Sequence, residues 1–258
     1  MPQAPFRIYG NTYYVGPHGL SSILITSDFG LVLIDGTLPE SVPQIVANIR
    51  TLGFRIEDVK LILNSHVHFD HAGGIAELQS LSGARVMASK WSAAVMTRDG
   101  VGAGDPQFGA LLPIAPIAHV KRLRDGETFH LGNLALTAHS TPGHTPGGTS
   151  WTWQSCEASR CLNMVYADSL SPVSADGFKF TKNPAALAGF EKSFKFLSTV
   201  PCDILLTPHP DASAFWQRVE EHNRGVVPDP LIDSSQCRQL VDRSGEDLRE
   251  RIAAETRR

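Results

Sequence analysis

The chain has 258 residues, 42% of them hydrophobic and 19% charged, enough for one large globular domain or two small ones, with no compositional sign of disorder. A net charge of -3 and the lack of any long basic run argue against nucleic acid as the main partner and favour a small molecule. No apolar stretch approaches the length of a bilayer span, and Met1-Pro2-Gln3-Ala4-Pro5 lacks the charged and apolar regions of a signal peptide, so the chain reads as soluble with no membrane partner.

Residues 6–15, 21–26 and 31–34 read as strands separated by turns, with Ser27-Asp28-Phe29-Gly30 as a hairpin turn and Asp35-Gly36 ending a buried strand. Residues 43–52 have helical spacing through Ile45, Val46 and Ile49 and stop at Gly53. The apolar run 59–64 predicts a strand, and Ile75, Leu78 and Leu81 begin a helical period after Gly73-Gly74. A strand at 84–88 and a helix at 89–98 follow, then a loop at 99–116 with too few periodic apolar residues for core. Strands are predicted at 120–123, 128–131, 134–138, 149–154, 162–166 and 204–207, helices at 184–198 and 212–224, and a charged, surface-packed helix at 234–258. Strand-rich blocks each followed by helices, with no dividing linker and no solenoid repeat, predict one domain over 1–258 in which two sheets face each other with helices outside.

Between the strand at 59–64 and the helix after it stands His66-Val67-His68-Phe69-Asp70-His71, three imidazoles and a carboxylate in six positions. One histidine in a polar loop would need no explanation. Four metal-ligand types aimed from one strand end predict a metal site, and they cannot all face a single ion, so the cluster is expected to feed two metals completed from elsewhere. His144, in the tight loop Thr141-Pro142-Gly143-His144-Thr145-Pro146-Gly147-Gly148, and His209, after the apolar run closed by Pro208, are the candidates to complete them. His119, His130 and His222 have no ligand-type neighbours; His139 reads as a strand-end structural residue and His18 as a loop residue with only a weak claim on a site.

The four cysteines are even in number and lie outside the histidine-rich segments, which hints at an oxidising compartment. Cys156 and Cys161 would close a short loop between two strands, and Cys202 and Cys237 would then pair, stabilising by about 4 kcal/mol on the loop-entropy account. Four cysteines allow three pairings and spacing does not choose among them; four buried thiols in a cytosolic protein is the alternative. With disulfides, the chain would be a mature or trimmed form.

Assembled, these residues resemble the metallo-β-lactamase superfamily nearly end to end: Asp35 at an early strand end, the His-x-His-x-Asp-His segment, His144 after Thr-Pro-Gly, Asp168 after a strand, and His209. Thr149-Ser150-Trp151-Thr152-Trp153, Tyr166-Ala167-Asp168-Ser169-Leu170-Ser171 and Leu206-Thr207-Pro208-His209-Pro210, together with the cysteine placement, look most like subclass B3. The resemblance implies a four-layer αβ/βα sandwich and two zinc ions, one held by His66, His68 and His144, the other by Asp70, His71 and His209. It implies that Asp168 stands behind the ligands, whereas in glyoxalase II-like relatives the matching Asp bridges both metals.

The implied activity is hydrolysis of the β-lactam amide of penicillins, cephalosporins and carbapenems, with resistance to those antibiotics, by a monomer in the periplasm or outside the cell. A water between two zinc ions loses a proton near neutral pH and becomes the nucleophile, and Asp70 can orient it. Ser169 and Ser171 are the expected contacts for the substrate carboxylate. Gln107 either reaches over the metals or is a plain surface residue, and Phe108 either lines the pocket or anchors its own loop. A glyoxalase II-like thioesterase or a lactonase on the same dinuclear scaffold is the alternative enzyme, and a structural metal site the non-enzymatic one.

Overall fold

The computed structural model describes residues 1–98 and 102–257. Strands β1 (Phe6–Tyr9), β2 (Thr12–Tyr14), β3 (Ile23–Ser27), β4 (Gly30–Ile34), β5 (Val59–Leu63), β6 (Arg85–Ser89) and β7 (Lys121–Leu123) form one sheet in that order. It is antiparallel as far as β4 and parallel from there on. The second sheet runs from β8 (Thr128–Leu131) through β9 (Leu134–Ser140), β10 (Thr149–Glu157) and β11 (Arg160–Tyr166) to β12 (Ile204–Leu206), and only its last pair is parallel.

Both faces of the central strands are apolar, so each sheet is covered twice. In β4, Val32 and Ile34 face the second sheet while Leu31 and Leu33 join the layer of helices. That outer layer is built from α1 (Val42–Thr51), the single turn α2 (Phe69–Ala72), α3 (Ile75–Ser82) and α4 (Lys90–Met96), which contribute Ile45, Ile49, Ala72, Ile75, Leu78 and Met96. On the far side α5 (Pro184–Thr199) and α7 (Gln236–Thr256) cover the second sheet through Leu197, Cys237 and Leu240 against Val165 and Leu205. The short helix α6 (Phe215–Asn223) instead inserts Phe215 and Val219 between the sheets. The result is the expected αβ/βα sandwich.

Three local expectations are corrected. Residues 6–15 are a hairpin and not one strand, because the chain turns at Gly10 in the left-handed region (φ +50°). Of the loop expected at 99–116, residues 99–101 lie outside the described residues, and the rest is not free of core: Ile114 is buried with Met96 and Val95. α6 begins at Phe215 and not at 212, since residues 210–213 form a tighter turn ending at Ala214 in the left-handed region.

The cysteines pair as Cys156–Cys161 and Cys202–Cys237. The first pair closes the β10–β11 hairpin at directly opposed positions; the second ties the approach to β12 to the first turn of α7. Replacing Cys202 and Cys237 together by Ala is expected to cost about 4 kcal/mol in urea unfolding, as loop closure over their 35-residue separation predicts. A loss under 1 kcal/mol would show that the bridge adds nothing beyond packing.

The far end of α7 is anchored by Glu255, whose side chain is only 6% exposed. Burial disfavours its charge, but the backbone N–H groups of Thr181 and Phe180 and the Arg251 guanidinium donate to it and hold its carboxyl down to about 2. A depressed folded-state pKa contributes stability above the ordinary value of 4.5 that fades as pH falls toward 2. The stability gap between wild type and Glu255→Gln is therefore expected to be constant near neutrality and to shrink below pH 4.5. A gap independent of pH would contradict this.

Candidate metal centre

The histidine-rich segment leaves the C-terminal end of β5, beside the end of its parallel neighbour β4. There Asp35 takes φ +62° and turns its buried carboxylate under the segment. Its oxygens accept from the Ser65 N–H (2.8 Å), the Ser65 hydroxyl (2.6 Å), Asn64 Nδ2 (3.2 Å) and the Tyr166 hydroxyl (2.8 Å). Burial raises the Asp35 pKa, while His71 and these donors work in the other direction. Asp35 thus fixes the backbone from which His66 and His68 project. The β9–β10 loop supplies His144, and the ends of the parallel pair β11 and β12 supply Asp168 and His209 at the same sheet edge.

Two groups assemble there, His66 with His68 and His144, and Asp70 with His71 and His209; within each, the candidate ligand atoms lie within 4.8 Å of one another. In the first group every imidazole has one nitrogen occupied from behind. His66 Nδ1 is 2.7 Å from Asp168 Oδ1, His68 Nε2 is 3.1 Å from Asp105 Oδ2, and His144 Nδ1 is 2.8 Å from the Ser171 carbonyl oxygen. Each acceptor claims the ring proton, which leaves a lone pair on the opposite nitrogen. His66 Nε2 is buried with no hydrogen-bond partner among the described residues. Burial, with the neighbouring histidines, pushes the His66 pKa well down and brings His144 to about 3, so both rings stay neutral, the form that binds metal.

The second group is a near-equilateral triangle. Asp70 Oδ2 lies 3.2 Å from His71 Nε2 and 3.3 Å from His209 Nε2, and the two nitrogens are 3.1 Å apart. Donors ~2.0–2.1 Å from a tetrahedral zinc would stand ~3.3–3.4 Å from each other, so the triangle has the size of that site. Burial would raise the Asp70 pKa, but His209 and His71 hold it well below the usual carboxylate range.

A cavity of about 370 Å³ opens over both groups, walled by Gln107, Leu111, Leu112, Ser171 and Val173. Gln107 is at this cavity, its backbone N–H bonded to Asp105 Oδ1 at 2.8 Å. Ser171 is there too, its hydroxyl 3.1 Å from His144 Nδ1. Ser169 is not: it lines an adjoining cavity of about 510 Å³ that shares Ser171 and His209 with the first. Phe108 is 56% exposed and lines neither. His139 bonds Thr152 and stacks on Phe196, and His18 stacks on Trp216, both away from the cavity.

Asp105 was not legible in the sequence as a site residue. It sits in a loop of Gly, Asp and Pro, and only the folded chain shows its carboxylate buried against His68. Its spacing two before Gln107 was the available signal, since an Asp that accepts the N–H two residues on is a common turn former. Asp105→Ala is expected to weaken metal binding at the three-histidine group about 10–100-fold, read by competition with a chromophoric chelator. Unchanged affinity would make Asp105 a loop residue only.

A sheet-edge site with two adjoining ligand groups on an αβ/βα sandwich defines a metal-dependent hydrolase type of fold, and sequence comparison agrees: the metallo-beta-lactamase superfamily profile matches residues 15–157, and the chain belongs to that superfamily. Within it the likeness is to subclass B3. MEM-A1, a subclass B3 metallo-β-lactamase from a soil metagenome library, is 50% identical with a TM-score of 0.95, over 99% of this chain and 97% of that one. The Rm3 metallo-β-lactamase is 55% identical with a TM-score of 0.96, over 98% and 95%. A hydroxyacylglutathione hydrolase of Rhodopseudomonas palustris is 33% identical over 107 residues, 42% of this chain and 32% of that protein. The chain's matches span about a third of the length of the first curated relatives it resembles.

Proposed function

We propose that the chain is a zinc-dependent β-lactamase of the bacterial periplasm, acting as a monomer on penicillins, cephalosporins and carbapenems. His66, His68 and His144 hold one zinc, and Asp70, His71 and His209 the other. The observation that carries this reading is the set of outward nitrogens tied to Asp168, Asp105 and Ser171, which leaves the opposite nitrogens of three imidazoles grouped within 4.8 Å of one another. When bound, the zinc pair supplies Lewis acidity toward the lactam carbonyl and brings the pKa of a water near neutrality.

The protein's own groups do the rest. Asp70 makes its contacts to His71 and His209 through Oδ2, leaving Oδ1 to accept a hydrogen bond from the attacking water and orient it. Ser171, on the wall of the cavity over both groups, and Ser169, in the adjoining cavity that shares Ser171 and His209, offer hydroxyl donors to the substrate carboxylate. Gln107, also lining the cavity over both groups, donates to a substrate carbonyl. The two disulfides fit an oxidising compartment, and among the described residues no helix is long and apolar enough to cross a membrane.

The hydroxyacylglutathione hydrolase likeness keeps a thioesterase as the second reading, in which Asp168 would bridge the metals. Asp168 Oδ1 lies 2.7 Å from His66 Nδ1, a contact that fits a carboxylate standing behind a ligand histidine and favours the lactamase. Turnover of one carbapenem and one thioester by the purified protein, with and without added zinc, tests the choice. Thioester turnover without lactam turnover would reverse it.

A further inference from the structure

At the sheet edge where β7 and β8 end their respective sheets, a groove of about 1080 Å³ opens between the layers. Its floor is the inter-sheet core itself. Leu61, Met87 and Leu131 belong to that core and are at most 8% exposed, yet they line the groove with the half-buried Phe129. Phe29 stands at the rim, 71% exposed.

The ionisable side chains lining this groove are Lys60, Arg85, Lys121, His119 and His130, with no carboxylate among the described lining residues. In a chain with 26 acidic residues against 23 Lys and Arg, a rim of one sign over an apolar floor is a local segregation of charge. It is only partly compensated. Lys121 Nζ lies 3.3 Å from Glu127 and Lys60 Nζ donates to the Glu57 carbonyl oxygen at 2.8 Å, while Arg85 has no ion pair among the described residues. None of these residues is shared with the cavity over the two metal-ligand groups.

We infer that this groove is a second binding site, for a small monoanionic amphiphile of the fatty-acid type, with its carboxylate among Lys60, Arg85 and Lys121 and its apolar chain laid on Leu61, Met87 and Leu131. The volume accommodates a medium-length chain, and ligand pockets commonly combine an apolar floor with a few polar anchors. A neutral alcohol would satisfy only the floor. A cationic amphiphile would meet like charge at the rim.

The test is isothermal titration of laurate, dodecanol and dodecyltrimethylammonium into the full chain loaded with zinc. Laurate is expected to bind with a Kd on the order of 100 µM. The cation should bind at least tenfold more weakly, with dodecanol between them. The variant K60Q/R85Q/K121Q changes only exposed side chains, so carbapenem turnover should stay at the wild-type rate, while laurate affinity falls at least tenfold and loses its salt dependence. Unchanged laurate affinity in that variant would overturn the inference by placing the carboxylate elsewhere, the metals included. Binding to phosphatidylglycerol vesicles without binding to free laurate would overturn it in favour of a membrane-facing surface. The groove stands apart from the lactamase reading, so loss of laurate binding and absence of lactam turnover are separate results.

Discussion

Asp70→Asn is expected to lower kcat on a β-lactam by about 10²–10⁴-fold while leaving the fold intact. The amide keeps the carboxylate's shape, so packing around residue 70 changes little. What it loses is the negative charge set 3.2–3.3 Å from His71 and His209, and with it the carboxylate proposed to hold the metal and orient the attacking water. KM should move far less than kcat, because no substrate contact is assigned to this side chain. Steady-state kinetics at saturating zinc, with circular dichroism as the check on folding, decides it; a kcat within threefold of wild type would remove Asp70 from the mechanism.

The second large effect is expected at the three-histidine group. His144→Ala deletes one of the three grouped imidazoles, and the Ser171 carbonyl that had fixed its ring is left without that partner. With structural zinc binding worth on the order of 10–16 kcal/mol over four ligands, one ligand accounts for about 3 kcal/mol, or a hundredfold in affinity. Bound zinc after dialysis should fall from two toward one per chain, and β-lactam turnover should fall with it. Retention of two zinc ions by the variant would mean that residues other than these six hold the metal.

How far the sequence alone reaches depends on whether a residue's role is local. The crowding of His66, His68, Asp70 and His71 is visible in six positions, and the strand before them follows from an apolar run of the right length. His144 and His209 stand out because proline and glycine mark where each loop leaves a strand. Asp105 does not stand out, since its meaning comes from a contact across 37 positions of chain. Ser169 and Ser171 look equivalent in sequence, yet only Ser171 reaches the cavity over the two ligand groups, while both line the adjoining one. The break at Gly10 and the burial of Ile114 were missed for a related reason. A single glycine in an aromatic strand and an isoleucine in a loop broken by glycine and proline carry little periodic signal, and tertiary packing decides both.

The central claim, that these two groups form a dinuclear hydrolytic centre for β-lactams, is tested most directly by carbapenem hydrolysis before and after removal of metal. The zinc-loaded protein is expected to hydrolyse the carbapenem, to lose that activity on dialysis against a strong chelator, and to regain it as zinc is restored to two per chain. Carbapenem turnover that survives complete metal removal, or its absence at two zinc ions per chain, would contradict it.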